Sequence, residues 1–129
     1  RSTDFIPLSQ KDQVVDTLLA SQCVDLACSR HAGKMEEVYT PLGKVFNQTG
    51  KDLSQIEHCI GTGGVLIRSP HPKAILEAVL PIPNRPFELR PASPKYWLDQ
   101  DYLFAAMGLL SEINPVLALQ IMKRHLLPL

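Results

Sequence analysis

At 129 residues the chain has the size of a single domain, and a chain of that length buries roughly two-thirds of the surface its unfolded form exposes. Hydrophobic residues make up 45% and charged residues 20%, a globular composition that excludes intrinsic disorder. Lys and Arg number 13 and Asp and Glu 13, so no net field draws in nucleic acid or an anionic membrane, and both are excluded as partners. The longest apolar run, Tyr102 to Leu110, is far short of a membrane span. With no basic-then-apolar leader, a cytoplasmic protein is expected. A start at Arg1 rather than Met fits a fragment cut from something longer.

Ser9 and Asp12 resemble a capping box, after which Val15, Leu18, Leu19, Cys23, Leu26 and Ala27 recur at helical spacing until Gly33. This stripe is expected to face the core. Lys34 to Tyr39 either prolongs the helix or forms a separate turn. Thr40-Pro41-Leu42-Gly43 breaks the pattern, and Lys44 to Asn47 reads as a short strand ended by Thr49-Gly50. Asp52-Leu53-Ser54 leads into the main strand, about Gln55 to Ile60. A helix then starts near Pro72 and turns Ile75, Leu76, Val79 and Leu80 inward. Five prolines between Leu80 and Lys95 make residues 81–95 an extended, helix-free connector across a surface, read as a spacer. Asp99 is placed to cap a helix from about Gln100 to Ile113, apolar enough to be packed on most sides. Asn114-Pro115 opens a last helix to about Leu126, whose Lys123, Arg124 and His125 suit the negative end of the helix dipole.

Ile60-Gly61-Thr62-Gly63-Gly64-Val65-Leu66 is the stretch that speaks of a ligand. Glycine lets backbone approach a flat or phosphate-bearing molecule where a Cβ would clash, and it adopts positive φ at little cost. Placed between a strand and a helical pattern, these glycines point to a nucleotide. The competing explanation is a tight turn with no ligand.

Other constellations offer less. Three cysteines cannot complete a disulfide framework. Cys23 and Cys28 do not share a helix face cleanly, and Cys59 and His58 point to opposite sides of a strand. Together with His31, His71 and His125 they lack ligand-pair spacing for zinc, so buried, reduced thiols are expected. Glu36 and Glu37 read as solvated, and Asp99 and Asp101 as acids at a helix start. Ser69 and His71 have no orienting third group for nucleophilic catalysis.

The segment from Asp52-Leu53-Ser54-Gln55-Ile56 through the glycine run, the Pro-rich spacer, Tyr96-Trp97-Leu98-Asp99-Gln100-Asp101-Tyr102, the helix with Ala105-Ala106-Met107-Gly108-Leu109-Leu110, and Tyr39-Thr40-Pro41-Leu42-Gly43-Lys44-Val45 together resemble a known family. It is the C-terminal part of the MutL-type accessory proteins, also written GlmL, of adenosylcobalamin-dependent glutamate mutase. They are unrelated to the mismatch-repair proteins of the same name. The resemblance covers nearly the whole chain and implies an α/β fold, the C-terminal part of an actin-like, ribonuclease-H-like ATPase lobe, helix-rich with few short strands. In the actin, sugar-kinase and Hsp70 group, a Gly-rich turn of the second lobe packs against adenosine. Gly61, Thr62, Gly63 and Gly64 match it, and Arg68 is the candidate for an arginine stacked on adenine.

The chain departs from that group by lacking its Asp- and Gly-rich phosphate loops and the carboxylates that handle Mg²⁺ and water. The resemblance therefore implies ATP or ADP with Mg²⁺ in the full-length protein, phosphate and metal sites outside this chain, and no turnover by the chain alone. Its implied partners are the N-terminal lobe of the same polypeptide and the mutase subunits. The implied role is a reactivating, chaperone-like one. A non-catalytic interaction domain is the alternative. A flavin or nicotinamide enzyme is disfavoured, because Leu66 stands where G-x-G-x-x-G needs glycine.

Overall fold

The computed structural model describes Pro7 and residues 9–129, so Arg1 lies outside the described residues. Helix α1 (Gln10–His31) is followed by strands β1 (Lys34–Thr40), β2 (Gly43–Thr49) and β3 (His58–Gly61). Two short helices come next, α2 (Gly64–Arg68) and α3 (Pro72–Leu76), the latter continued by a 3₁₀ turn over Glu77–Val79. After the connector come β4 (Lys95–Asp99), α4 (Leu103–Ser111), α5 (Pro115–His125) and β5 (Leu126–Pro128). The class is α/β.

Helix α1 begins as its sequence dictates: the Asp12 amide donates to Ser9 Oγ at 3.1 Å, and Ser9 Oγ donates to Asp12 Oδ2 at 2.7 Å. Its orientation differs from the expectation. Of the expected stripe, Leu18, Leu19 and Leu26 are 50–62% exposed, Cys23 and Ala27 are exposed and only Val15 is half-buried, while Ala20 and Val24 pack on the core and Asp25 and Cys28 face the chain beyond it. Small and polar residues turn inward because they admit α3 and its 3₁₀ turn closely and meet two arginines of the connector.

Lys34 to Tyr39 does not prolong that helix. It pairs antiparallel with β2 from Lys34↔Thr49 to Thr40↔Gly43, turning through Pro41-Leu42 and Gly43, whose φ is 119°. Past the helix end at Ala32, Gly33 lets the chain cross close to the end of β2: a Cβ there would lie 2.8 Å from Gly50 C and Lys51 N, and in closer conflict still with the Thr49 carbonyl. The hairpin stands out from the body, leaving Tyr39 79% and Leu42 99% exposed.

The second sheet has the order β3-β4-β5. Strands β3 and β4 run parallel, His58 opposite Lys95 and Gly61 opposite Leu98, and β5 adds antiparallel with Asp99 opposite Leu126. Strand β3 is shorter than Gln55–Ile60 because β4 begins only after Pro94, and Lys95–Asp99 is a strand that the Asp99 cap concealed. One face of this sheet carries the core of Leu66, Ile75, Leu76, Tyr96 and Leu98, covered by α1, α2 and α3. Ile75 and Leu76 turn inward as their spacing requires. Helix α4 packs on α5 and otherwise faces outward, with Leu109 71% exposed, so it is not enclosed by this chain.

The connector is free of helix, as its prolines demand, yet it does more than bridge distance. Arg90 is 1% exposed and uses all five of its N–H groups. Nε donates to Glu88 Oε2 at 2.7 Å, and Nη1 donates to the carbonyls of Ala78 and Leu80 at 3.1 and 3.4 Å. Nη2 donates to Asp25 Oδ1 at 2.7 Å and to the Asp25 carbonyl at 3.2 Å. Arg85 adds bonds of 2.7 Å to both Asp25 carboxylate oxygens, and Ser29 Oγ donates to Glu88 Oε1 at 2.6 Å. The hydrogen bond from Arg85, joined by Arg90, holds the Asp25 carboxyl below its usual range against burial. Burial pushes Glu88 up, but the bonds from Ser29 and Arg90 outweigh it and leave Glu88 low.

Arg90→Ala leaves the enclosed Glu88 side chain with Ser29 and an Arg85 guanidinium 3.7 Å away, and Asp25 with Arg85 alone, and is expected to destabilise the protein by about 3–5 kcal/mol in urea denaturation; a loss near zero would contradict this role. Because both carboxyls titrate lower in the folded chain than their ordinary values of 3.8 and 4.5, the stability they contribute is present above those values and is lost as pH falls through the lowered ones. Arg90→Ala should flatten this acid-side loss. Gly61→Ala would set a Cβ 2.7 Å from Leu66 Cδ1 and 3.0 Å from both Leu76 Cδ atoms. Thermal melting should show it destabilised by about 1–3 kcal/mol.

Candidate functional site

Parallel strands end together, and the loops at their carboxyl ends are where open α/β sheets take ligands. Here β3 ends in Gly61-Thr62-Gly63-Gly64 and β4 in Asp99-Gln100-Asp101-Tyr102, the first loop opening α2 and the second α4. Each glycine has its own reason. Gly61 is buried against Leu66 and Leu76, so its missing side chain serves packing. Gly63 has φ 110° and ψ 155°, a region essentially closed to other residues, and a Cβ added to it would meet nothing within 4 Å. Main chain is therefore bare at Gly63. Gly64 faces Tyr102, whose Oη lies 3.2 Å from where a Cβ would stand.

Asp99 ties the two loops together. Its buried carboxylate accepts from the Leu103 amide at 2.9 Å (Oδ1), from the Phe104 amide at 3.2 Å (Oδ2) and from Thr62 Oγ1 at 3.1 Å (Oδ2). The cap anticipated for Asp99 is thus present, but it acts from four residues before the start of α4, which is Leu103 rather than Gln100. Between them the chain turns through Tyr102 at φ 54°, ψ 34°. Asp101 Oδ2 lies 2.8 Å from His125 Nδ1, joining this loop to the end of α5.

Gly61, Thr62, Gly63 and Gly64 are thus assembled with Asp99 and Tyr102 at one sheet end. Arg68 stands apart, in the last turn of α2, where it borders a shallow groove with Gln13, Thr17, Val65 and Pro70. Tyr102 and the Thr62–Asp99 bond were beyond sequence reading, since both depend on β4 lying beside β3; the alternation of Tyr96 and Leu98 after Pro94 was the available signal.

A wider, apolar groove lies on the other face of the sheet, lined by His58, Ile60, Trp97, Leu119, Met122 and Leu126. There the Trp97 indole N–H donates to His58 Nδ1 at 3.0 Å, which requires the lone pair of that nitrogen. No disulfide joins the cysteines: Cys28 and Cys59 are partly buried, and burial pushes both thiols up, whereas Cys23 is exposed, contrary to expectation, on the outer side of α1. Among the described residues no group of three or more His, Cys, Asp or Glu is placed to hold a metal ion, and no helix is long and apolar enough to cross a membrane.

Comparison with known proteins places these residues in a family. The model of the family described as "MutL protein" matches residues 1–126. Protein MutL of Clostridium tetanomorphum is 39% identical over 122 residues, which cover 95% of this chain and 26% of that protein, so the chain spans about a quarter of the length of the curated relative it matches. No solved structure matches. The glycine turn, the proline-rich connector and the β4–α4 loop therefore occur in a chain that belongs to the MutL protein family.

Proposed function

We propose that this chain supplies the adenosine-contacting wall of a nucleotide site in an ATP-dependent accessory protein that maintains or reactivates an adenosylcobalamin-dependent mutase. The observation that carries the reading is Gly63: bare main chain in a conformation reserved for glycine, with open space where a side chain would project, at the carboxyl ends of two parallel strands. Residues 61–64 fit adenosine on that account. In this reading the chain belongs to an actin-like lobe, and Gly61 acts from beneath by holding β3 close to α2 and α3. The hydroxyl of Thr62 is already engaged by Asp99, so it positions the loop. Arg68 would reach the base only from the far end of α2, about 6 Å along the helix axis from Gly64.

Mg²⁺ would be held by polypeptide outside these residues, and when bound it would supply charge neutralisation at the phosphates. Partners in this reading are a phosphate-binding lobe of the same protein and the mutase subunits, met in the cytoplasm. Nucleotide-driven closure of the two lobes would be transmitted to the mutase. The exposed apolar residues Leu109, Ile113 and Val116 on α4, α5 and their connection favour a second reading, an interaction domain in which the glycine turn binds nothing.

Calorimetric titration of the full-length protein with ADP separates the two. Gly63→Val is expected to weaken ADP by about tenfold or more while the melting transition persists. Equal affinity in the folded variant overturns the nucleotide reading.

A further inference from the structure

Tyr102 is the only non-glycine residue at positive φ among the described residues. Glycine or asparagine would hold the same turn with less strain, so tyrosine here is costly to the backbone. The turn arises because the Asp99 carboxylate draws the amides of Leu103 and Phe104 toward itself, folding the intervening residues back. It brings the Tyr102 side chain against the Gly64 end of the glycine turn and leaves the residue 56% exposed. A large aromatic side chain is thus held half in solvent beside bare main chain, at an energetic cost to its own backbone.

Charge decides which part of a nucleotide belongs there. Neither loop carries Lys or Arg, and a phosphate placed beside the carboxylates of Asp99 and Asp101, the latter set against His125, would be repelled. An uncharged base would not. We propose that Tyr102 is the base-contacting residue of the site, its ring forming the wall opposite the main chain at Gly63 so that a purine lies between them. This rests on the nucleotide reading above and deepens it by naming the residue that grips the base. Stacking on an aromatic face tolerates any base, so adenine and guanine nucleotides should benefit alike from the ring.

The test uses the full-length protein, with ADP and inorganic pyrophosphate titrated separately by calorimetry. Tyr102→Leu is expected to weaken ADP about tenfold and to leave pyrophosphate unchanged, whereas Tyr102→Phe should stay within about threefold of the parent for both. Tyr102→Gly relieves the strained backbone, so it should melt at or above the parental temperature and still lose ADP affinity; a residue that served only the turn would show no such loss. Parental ADP affinity in the Leu variant, or an equal loss of ADP and pyrophosphate, overturns the assignment of Tyr102 while leaving the nucleotide reading intact. If the unaltered protein binds no ADP, both fall.

Discussion

A single buried guanidinium joins segments that are far apart in sequence. Arg90 reaches from the connector to Asp25 on α1, to the carbonyls of Ala78 and Leu80 at the end of the 3₁₀ turn, and to Glu88 two residues before it. A buried charge is tolerable only when it is paired and every donor is satisfied, and Arg90 meets both conditions. The consequence is geometric. With five prolines the connector has few conformations to begin with, and fixing Arg90 against α1 fixes the point from which the chain departs into β4. The amide of Lys95 then bonds the Glu57 carbonyl at 2.8 Å, and β4 runs in register beside β3.

That register carries the tie to the site. With Gly61 opposite Leu98, the next residues of the two strands are Thr62 and Asp99, close enough to bond, and the same carboxylate starts α4. One acid therefore sets the spacing between the glycine turn and the loop that presents Tyr102. The backbone at Gly63 and at Tyr102 lies outside the ordinary regions, and strain of this kind persists only where its surroundings over-determine it. The surroundings here are the Thr62–Asp99–Leu103 bonds above and the Leu66–Leu76 packing below. In the proposed function this pairing of loops becomes the adenosine side of a nucleotide site, and the exposed apolar faces of α4 and α5 are available to a partner.

Local signals were legible in the sequence, and long-range ones were not. The Ser9 cap, the Asn114-Pro115 start of α5, the inward Ile75 and Leu76 and the strand-to-helix place of the glycines all depend on neighbours within a few residues. The second strand of the hairpin was legible at Lys44 to Asn47, but the first was missed because Lys34 to Tyr39 has charged residues and no clean alternation, and its strand state comes from pairing with β2. The wrong face of α1 was chosen because large aliphatic residues outweighed small and polar ones in the pattern, although the small and polar ones are what α3 and the two arginines contact. Arg90 itself carried no signal: an arginine among prolines reads as solvated until Asp25, sixty-five residues away, is brought beside it. The family resemblance added the expectation of an adenosine role for the glycine turn, which packing and propensity cannot supply.

The central claim is that β3 and β4 end in two loops that leave bare main chain at Gly63, next to the Gly64 that Tyr102 touches, and that a purine lies there. A crystal structure of the full-length protein with ADP tests it most directly. The account predicts the purine against the main chain of Gly63, with Tyr102 on its other face and the phosphates directed away from Asp99 and Asp101. A base bound elsewhere, or a side chain of the protein itself lying on Gly63, would contradict it.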